Sequence, residues 1–216
     1  AVDLGGHHVI QISAGVHHNC VVLDNGDCKC WGQGFYGQLG LGNFDNVGDN
    51  AGEMGGALRS QNEGKGRVKQ VSCGNDFTCM LMEDGKVWCA GWNAYGQLGD
   101  GTSQERVPEF REVANDFRAD VIATAEIHAC ALRSGDVYCW GDNRNGQLGR
   151  GDTVASYVPV QVTWLSNATQ LSCAGYHCCV VQENSWVCWG RNSEGQLGMG
   201  HFTDVGASPG TTGLQH

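Results

Sequence analysis

The tetrapeptide GQLG occurs four times in the chain, at residues 37–40, 96–99, 146–149 and 195–198. The starts of successive copies lie 59, 50 and 49 residues apart. Self-similarity at a nearly fixed period is the signature of a repeat architecture. The spacing therefore predicts four structural units of about 50 residues each.

Each copy of GQLG follows two short apolar runs that are separated by a turn. The turn residues are Asn25-Gly26, Asp84-Gly85, Ser134-Gly135 and Asn184-Ser185. Such pairs tolerate the backbone of tight turns, so each unit is predicted to carry an antiparallel hairpin. A third strand precedes each hairpin, at residues 9–12, 68–71, 121–124 and 168–172, and an outer strand is expected at residues 157–164. Three or four antiparallel strands per repeat predict an all-β chain of β-propeller-type blades, forming either a partial or a closed propeller.

The repeats also set the expected domain organisation. We predict a single domain over residues 1–216, with repeats at about 1–59, 60–110, 111–160 and 161–216. The longer first step is an insertion at residues 43–66, rich in glycine, asparagine and acidic residues. The opening AVDLG resembles residues 60–64, and residues 43–52 resemble residues 201–210, so neither end is expected to act as a cap. An uncapped array of blades is expected either to close on itself or to contact more protein.

Eight of the twelve cysteines occupy two positions of the repeat, one before the turn and one after it, 9 or 10 residues apart. Directly opposed residues on antiparallel strands have Cβ atoms about 4.5–5.5 Å apart, which suits a disulfide. We therefore predict one disulfide in each repeat: Cys20–Cys30, Cys79–Cys89, Cys130–Cys139 and Cys179–Cys188.

The other four cysteines suggest two further pairs, Cys173 with Cys178 in copy four and Cys28 with Cys73 between copies one and two. Zinc is the competing interpretation, but the paired C-x-x-C spacings typical of zinc knuckles are absent. An even number of paired cysteines is typical of an oxidising compartment, so the chain is expected to be secreted or exposed on a cell surface.

The combined pattern H-x-C-A-L, D-G, V-x-C-W-G and N-x-x-G-Q-L-G resembles the regulator of chromosome condensation repeat over nearly the whole chain. The cysteines, the AVDLG opening and GEMG at residues 52–55 are similar to a secreted or surface subtype of that family. The resemblance implies stacked four-stranded blades, usually seven in a full ring. It implies no single activity, because members include a nuclear exchange factor, a β-lactamase inhibitor protein and surface proteins. Copy two departs from the pattern with Ala90 in place of tryptophan, and copy four with Ser185 in place of the turn glycine.

The charge of the chain argues against nucleic acid as a partner. Its 13 basic and 23 acidic residues give a formal net charge of −10, whereas nucleic-acid binding depends on neutralising phosphates with Lys and Arg. No apolar run approaches the roughly 20 residues that span a bilayer, so membrane insertion is not expected. The chain opens at Ala1 without a charged-then-apolar leader, as a processed secreted protein would.

Histidines and tryptophans also recur at repeat positions. His18, His128 and His177 share one position, and because Phe77 fills it in copy two, a structural role is predicted. Tryptophans at a second position are expected to pack between blades, whereas less regular ones are candidates for stacking on sugars. The first set is Trp31, Trp140 and Trp189, and the second is Trp92, Trp164 and Trp186. A cluster of His7, His8 and His17 near the N-terminus is a weak candidate for an adventitious metal.

Two loop features complete the candidate sites. Asp45, Asp49 and Glu53 in the insertion are a weak calcium candidate, but their spacing does not match an EF-hand loop, so no metal is predicted. Asn167 begins the sequon Asn-Ala-Thr and is predicted to carry a glycan if the source is eukaryotic.

No nucleophile elbow, phosphate-binding loop or matched pair of acids stands outside the repeat pattern, so neither catalysis nor a cofactor is predicted. We expect a non-catalytic extracellular scaffold that presents blade loops for protein contact, for example within a surface fibre or appendage. The expected partner is protein, either further copies of the chain or a longer array. The alternative is a secreted recognition module, either a lectin that binds a glycan or an inhibitor of another secreted protein.

Overall fold

The computed structural model describes residues 2–182 and 185–208, and within them the fold is almost entirely β. Four separate antiparallel sheets follow one another along the chain, which confirms the predicted blades. Blade 1 contains β1 (Val9–Ala14), β2 (His18–Leu23) and β3 (Cys28–Gly32), and blade 2 contains β4 (Val68–Cys73), β5 (Phe77–Met82), β6 (Val87–Trp92) and β7 (Arg106–Glu112). Blade 3 contains β8 (Val121–Thr124), β9 (His128–Arg133), β10 (Asp136–Gly141) and β11 (Ser156–Gln161), and blade 4 contains β12 (Ala168–Ala174), β13 (His177–Gln182) and β14 (Ser185–Gly190).

The fourth strand is reduced to a single bridge in the first and last blades. Val47 pairs with Gly32 at the edge of β3, and Val205 pairs with Gly190 at the edge of β14. Every blade thus has an outer position beyond its third strand. β7 ends two residues beyond the predicted repeat limit at residue 110, and β11 ends one residue beyond the limit at residue 160.

The innermost strand of each blade lies beside that of the next. The ends of β1, β4, β8 and β12 line one open groove, formed by residues 14–16, 73–75, 124–126 and 173–175. Backbone hydrogen bonds link three of these ends: the amide of Asn75 donates to Glu126 O, and the amide of Glu126 donates to Gly175 O. Convergence of the inner strands on one groove is the arrangement of blades around a propeller axis.

The apolar core lies between blades rather than within one of them. Three clusters of buried side chains occupy the interfaces 1–2, 2–3 and 3–4. At the first interface, for example, Cys20 and Val22 of blade 1 meet Val71 and Met80 of blade 2. Each blade therefore buries its apolar face only against its neighbour, as expected of a repeat protein.

The GQLG segment connects each blade to the next. Its first glycine in copy one, Gly37, has φ of +87°, and a Cβ there would lie 2.5 Å from Pro108 Cα in blade 2. The chain then bonds to the outer strand of the following blade. The amides of Gly42, Gly101 and Gly151 donate to the carbonyls of Pro108, Tyr157 and Gly206, respectively. The tetrapeptide and the glycine two residues after it therefore hold adjacent blades close together.

Ala90 in copy two is compensated by its surroundings. Trp140 and Trp189 donate their indole N–H groups to Gln97 O and Gln147 O of the preceding blade. The equivalent carbonyl, Gln38 O, receives the Thr78 hydroxyl instead at 2.7 Å. The interface between blades 1 and 2 therefore keeps its hydrogen bond without a tryptophan.

The outer half of blade 1 is covered by the N-terminal segment and the insertion, contrary to the prediction that neither end acts as a cap. Lys29 is 7% exposed, and its Nζ donates to Leu4 O and Gly55 O at 3.1 and 3.2 Å. The amide of Cys30 donates to Gln61 Oε1, so the insertion also satisfies the edge of β3. Backbone carbonyls make the contacts to Lys29, and these leave no side-chain signature in a sequence.

Within the described residues, no helix is long and apolar enough to cross a bilayer. The one helical element there is the short 3-10 turn Gly55–Ala57.

Candidate protein-contact site

A glutamine and a serine on the innermost strand attach blades 1 and 2 to their successors. Gln11 donates to Val71 O at 3.1 Å and accepts from Val71 N at 2.8 Å, so one side-chain amide pairs with both backbone groups. Two residues on, Ser13 Oγ accepts from Cys73 N at 2.9 Å. In blade 2, the same bonds run from Gln70 to both backbone groups of Ile122, and from Thr124 N to Ser72 Oγ.

Blade 4 carries the same two side chains at the equivalent positions, Gln170 and Ser172. Both are exposed, and no hydrogen bond is found for either within the described part of the chain. Gly200, the equivalent of Gly42, has no atom within 4 Å of an added Cβ. The groups that attach blades 1 and 2 to their successors are thus present but unused at the end of blade 4.

The rest of this surface is apolar and partly exposed. In blade 3, the equivalent side chains are buried against blade 4: His128, Cys130, Leu132 and Val137 are between 0% and 3% exposed. In blade 4, the same positions hold His177, Cys179, Val181 and Trp186, of which Trp186 is 49% exposed and the others are half-buried. We call the surface formed by Gln170, Ser172, His177, Cys179, Val181 and Trp186 the blade-4 face.

Two of the three repeat histidines, His18 and His128, lie between blades, as their predicted structural role requires, whereas His177 lies on the blade-4 face. His18 Nε2 lies 2.8 Å from Thr78 Oγ1 of blade 2, and His128 Nε2 lies 3.1 Å from Cys178 Sγ of blade 4. Burial, with a smaller effect from His17, lowers the pKa of His18 to about 4. Burial, with a smaller effect from His177, lowers the pKa of His128 to about 3. Both rings are therefore neutral in the folded protein near neutral pH.

Acid is expected to destabilise the fold through these two rings. Because both folded-state pKa values lie below the ordinary value of about 6.5, protons bind preferentially to the unfolded chain as pH falls from about 6.5 toward 4. Each ring then costs at most about 1.4 kcal/mol of stability per pH unit. Urea unfolding at about pH 7 and about pH 5 should show this loss, and the loss should be smaller in His128→Phe, which introduces the residue type that Phe77 supplies in copy two. His8→Phe, which replaces an exposed histidine, is the control. A loss of stability between the two pH values that is the same in His128→Phe as in the wild-type protein would contradict the conclusion that buried His128 contributes to it.

The cysteines predicted to pair within each repeat do lie opposite each other. Cys20–Cys30, Cys79–Cys89, Cys130–Cys139 and Cys179–Cys188 are disulfides, and Cys173–Cys178 is a fifth within blade 4. Each pair occupies directly opposed positions of adjacent strands. Disulfides of this number indicate an oxidising location.

The predicted pair Cys28–Cys73 is not formed, and both residues are buried thiols. Cys28 Sγ lies 3.9 Å from Cys30 Sγ, whereas Cys73 lies near Cys20, so the two thiols approach different sulfurs of the same disulfide. Cys73 is opposed on β5 by Thr78, where the equivalent Cys173 is opposed by Cys178. Cys73 therefore lacks the partner that its counterpart in blade 4 has.

The tryptophans proposed for sugar stacking differ in exposure. Trp92 packs against Tyr36 and Tyr95, and Trp164 packs against Trp189 and donates its indole N–H to Gly149 O. Trp186 is the most exposed of the three, and it belongs to the blade-4 face. The repeat tryptophans Trp140 and Trp189 are fully buried, while Trp31 is half-buried beside Gly48 of the insertion.

The remaining candidate residues lie on the surface. Glu53 accepts from the amides of Gly48 and Asn50, and these bonds lower its pKa. Neither Asp45, Asp49 and Glu53 nor His7, His8 and His17 form a group of converging metal ligands in residues 2–182 and 185–208. Asn167 is exposed with φ of +56°, so it is accessible to a glycan. Asn184 of the predicted turn lies outside the described residues.

The glutamine–serine pair was not predicted from the sequence. Its signal is a short one: Q-I-S at residues 11–13, Q-V-S at 70–72 and Q-L-S at 170–172, each at the same place before a hairpin. Copy three has Val121 and Ala123 there, which obscures the pattern. Val121 packs against the apolar cluster between blades 3 and 4, so this interface uses apolar contact instead.

Solved structures share this arrangement of blades. Yeast RCC1 (Prp20), solved bound to Kap60, matches 99% of the chain with a TM-score of 0.81 at 18% identity, and 50% of that structure is covered. Human WBSCR16 matches 93% of the chain with a TM-score of 0.76 at 24% identity, and 51% of that structure is covered. The chain therefore spans about half the length of these structures, and at such identities the likeness concerns the fold.

Sequence comparisons point the same way. The ultraviolet-B receptor UVR8 of Arabidopsis thaliana is 34% identical over 174 residues, which are 78% of this chain and 38% of that protein. The secretion-regulating guanine nucleotide exchange factor of Mus musculus is 39% identical over 89 residues, 41% of this chain and 18% of that protein. The family model of the regulator of chromosome condensation (RCC1) repeat matches residues 25–81, 84–132 and 134–181. With three matches that cover most of its length, the chain belongs to the RCC1 repeat family.

Proposed function

We propose that this chain is a non-catalytic extracellular scaffold that makes protein contacts through its blades, and that the blade-4 face binds blade 1 of a second copy. The observation that carries the proposal is that the glutamine and serine that bind the next blade in blades 1 and 2 are also present in blade 4, where they are exposed. Gln170 and Ser172 are placed as Gln11 and Ser13 are, so they are suited to the backbone of another innermost strand.

Blade 1 offers the complementary strand. Ile12 is the equivalent of Val71, whose backbone Gln11 binds, and Ile12 is 65% exposed. Val9, the equivalent of the buried Val68, is 45% exposed. Because the N-terminal segment and the insertion already cover the outer half of blade 1, the proposed contact uses its inner half, β1. A contact between two different surfaces is heterologous, and it gives open filaments if the rotation does not close.

The extracellular setting is supported by the five disulfides, and a protein partner is in line with the Kap60 complex of yeast RCC1. The formal charge of −10 is unsuited to a nucleic acid. Trp186, the most exposed of the sugar-stacking candidates, has Val137 as its buried equivalent between blades, which favours a protein contact over a lectin site.

Sedimentation velocity at about 1 μM to about 100 μM tests the proposal, because association by mass action grows with concentration. The wild-type protein is expected to form species larger than the monomer, and Trp186→Asp is expected to remain monomeric because it places a charge in the apolar contact. Val154→Asp is the matched control, since Val154 is also apolar and 64% exposed but lies in a loop outside the blade-4 face. Ile12→Asp should act like Trp186→Asp from the other side of the contact.

Two results would contradict the proposed contact. One is a wild-type protein that stays monomeric over the whole concentration range. The other is association that Trp186→Asp and Val154→Asp weaken equally, because the contact would then not involve the blade-4 face.

A further inference from the structure

Four sulfur atoms lie together at the interface of blades 1 and 2, and two of them are free thiols. Cys20 and Cys30 form the disulfide, Cys28 Sγ is 3.9 Å from Cys30 Sγ, and Cys73 Sγ is within 4.8 Å of Cys20 Sγ. All four residues are buried, at 9% exposure or less. Cys73 belongs to blade 2, so its thiol approaches the disulfide of the neighbouring blade.

The interface between blades 3 and 4 has a related arrangement, although Val137 takes the place of Cys28 there. Cys130 and Cys173, the equivalents of Cys20 and Cys73, again lie within 4.8 Å of each other. There, however, Cys173 is bonded to Cys178, and Thr78 replaces that cysteine in blade 2. Cys73 is thus a free thiol beside the disulfide of blade 1, whereas the equivalent Cys173 is itself part of a disulfide.

We propose that Cys73 exchanges with the Cys20–Cys30 disulfide to give a Cys20–Cys73 disulfide that joins blade 1 covalently to blade 2. The Cys73 thiolate attacks Cys20 Sγ, the bond between Cys20 and Cys30 breaks, and Cys30 leaves as a thiolate. Cys30 then takes up a proton equivalent to the one that Cys73 lost. One disulfide is exchanged for another, so the step needs neither oxidant nor reductant.

The surroundings hold Cys73 in its thiol form. Its S–H donates to Ser13 O at 3.5 Å, and burial raises its pKa to about 11. Because only the thiolate attacks, only a small fraction of the molecules is reactive near pH 7. The exchange is therefore slow at neutral pH, and its rate is expected to rise about tenfold with each pH unit below the pKa.

Non-reducing peptide mapping distinguishes the two pairings, because tryptic cleavage after Lys29, Arg59, Lys69 and Lys86 places Cys20, Cys30 and Cys73 in three different peptides. The intact protein is held at about pH 6 or about pH 10 without any redox reagent, then quenched with acid and digested under mildly acidic conditions that suppress exchange. In the starting material, the peptide that ends at Lys29 is linked to peptide 30–59. After the incubation at high pH it should be linked to peptide 70–86, which the Cys79–Cys89 disulfide still joins to peptide 87–106, and fragment spectra should place the new bond at Cys20 and Cys73 rather than Cys79.

Two variants locate the attacking group. Cys73→Ser should abolish the new linkage, whereas Cys28→Ser, which removes the other buried thiol beside the same disulfide, should retain it. The total number of free thiols, counted after denaturation, should stay unchanged in the wild-type protein, since the exchange is neutral in electrons.

The proposal is overturned if Cys20 remains bonded to Cys30 after prolonged incubation at high pH. It is equally overturned if Cys79–Cys89, Cys130–Cys139 and Cys179–Cys188 are scrambled at the same rate, because that pattern would reflect unfolding rather than a preset pair. A link between the peptide that ends at Lys29 and peptide 70–86 that persists in Cys73→Ser would also contradict it, because only Cys79 could then form that link.

Discussion

Replacing Trp140 with alanine is expected to lower the free energy of unfolding by about 3–5 kcal/mol, the range for a large aromatic side chain removed from a core. The side chain is fully buried between blades 2 and 3, where the centroid of its ring lies 5.8 Å from the ring centroid of Phe117. Its indole N–H donates to Gln97 O at 3.0 Å, so the substitution also leaves a carbonyl without its partner. Urea unfolding of the dilute, oxidised protein followed by circular dichroism measures the change.

Trp186→Ala is the matched control for this prediction. Trp186 is 49% exposed and covers no neighbouring blade in the described structure, so its removal from the monomer should cost clearly less than the removal of the fully buried Trp140. Similar losses in the two variants would contradict the conclusion that the core lies between blades.

Gly37→Ala is expected to destabilise the protein much more than Gly195→Ala, although the two glycines occupy the same position of the repeat. Both have positive φ, +87° and +74°, so an alanine costs about 1–2 kcal/mol at either site. At Gly37 the new Cβ would also lie 2.5 Å from Pro108 Cα, whereas at Gly195 its nearest neighbour is a ring atom of Phe202 at 3.7 Å. The clash with backbone is expected to add at least about 2 kcal/mol at Gly37.

The same unfolding experiment compares these two variants, and the difference between them isolates the close approach of one blade to the next. Equal destabilisation would mean that the GQLG segment is needed only for its turn. The measurement should use dilute protein, because association through the blade-4 face would bring a second copy toward Gly195.

Much of the fold could be predicted because the same pattern of turns, cysteines and GQLG occurs in four copies. Any single hairpin signal is weak, but turn pairs and cysteines at matching positions leave one consistent register, and strand pairing and disulfides follow from that register. The tryptophan position was predictable in the same way. Its loss at Ala90 was not interpretable from sequence, because the compensating bond from Thr78 to Gln38 O joins two repeats.

The contact surface was harder to predict for physical reasons. The cap on blade 1 depends on backbone carbonyls of Leu4 and Gly55 that hold Lys29, and any residue type supplies a carbonyl. Cys28 and Cys73 were predicted to pair because the other cysteines already had partners, but elimination carries no information about which sulfurs approach each other. The structure places both beside the disulfide of blade 1 instead.

Hydrogen exchange at low and high protein concentration tests the central claim most directly, since it reports on individual backbone amides. If the blade-4 face binds blade 1 of a second copy, the amides of Ile12 and Ala14 should exchange more slowly in the concentrated sample, because Gln170 and Ser172 would hold them as Gln11 and Ser13 hold Val71 and Cys73. The equivalent amides of Val71 and Cys73 should be unaffected by concentration. Exchange at Ile12 and Ala14 that does not change with concentration while larger species form would show that the copies meet through another surface, and would contradict the account.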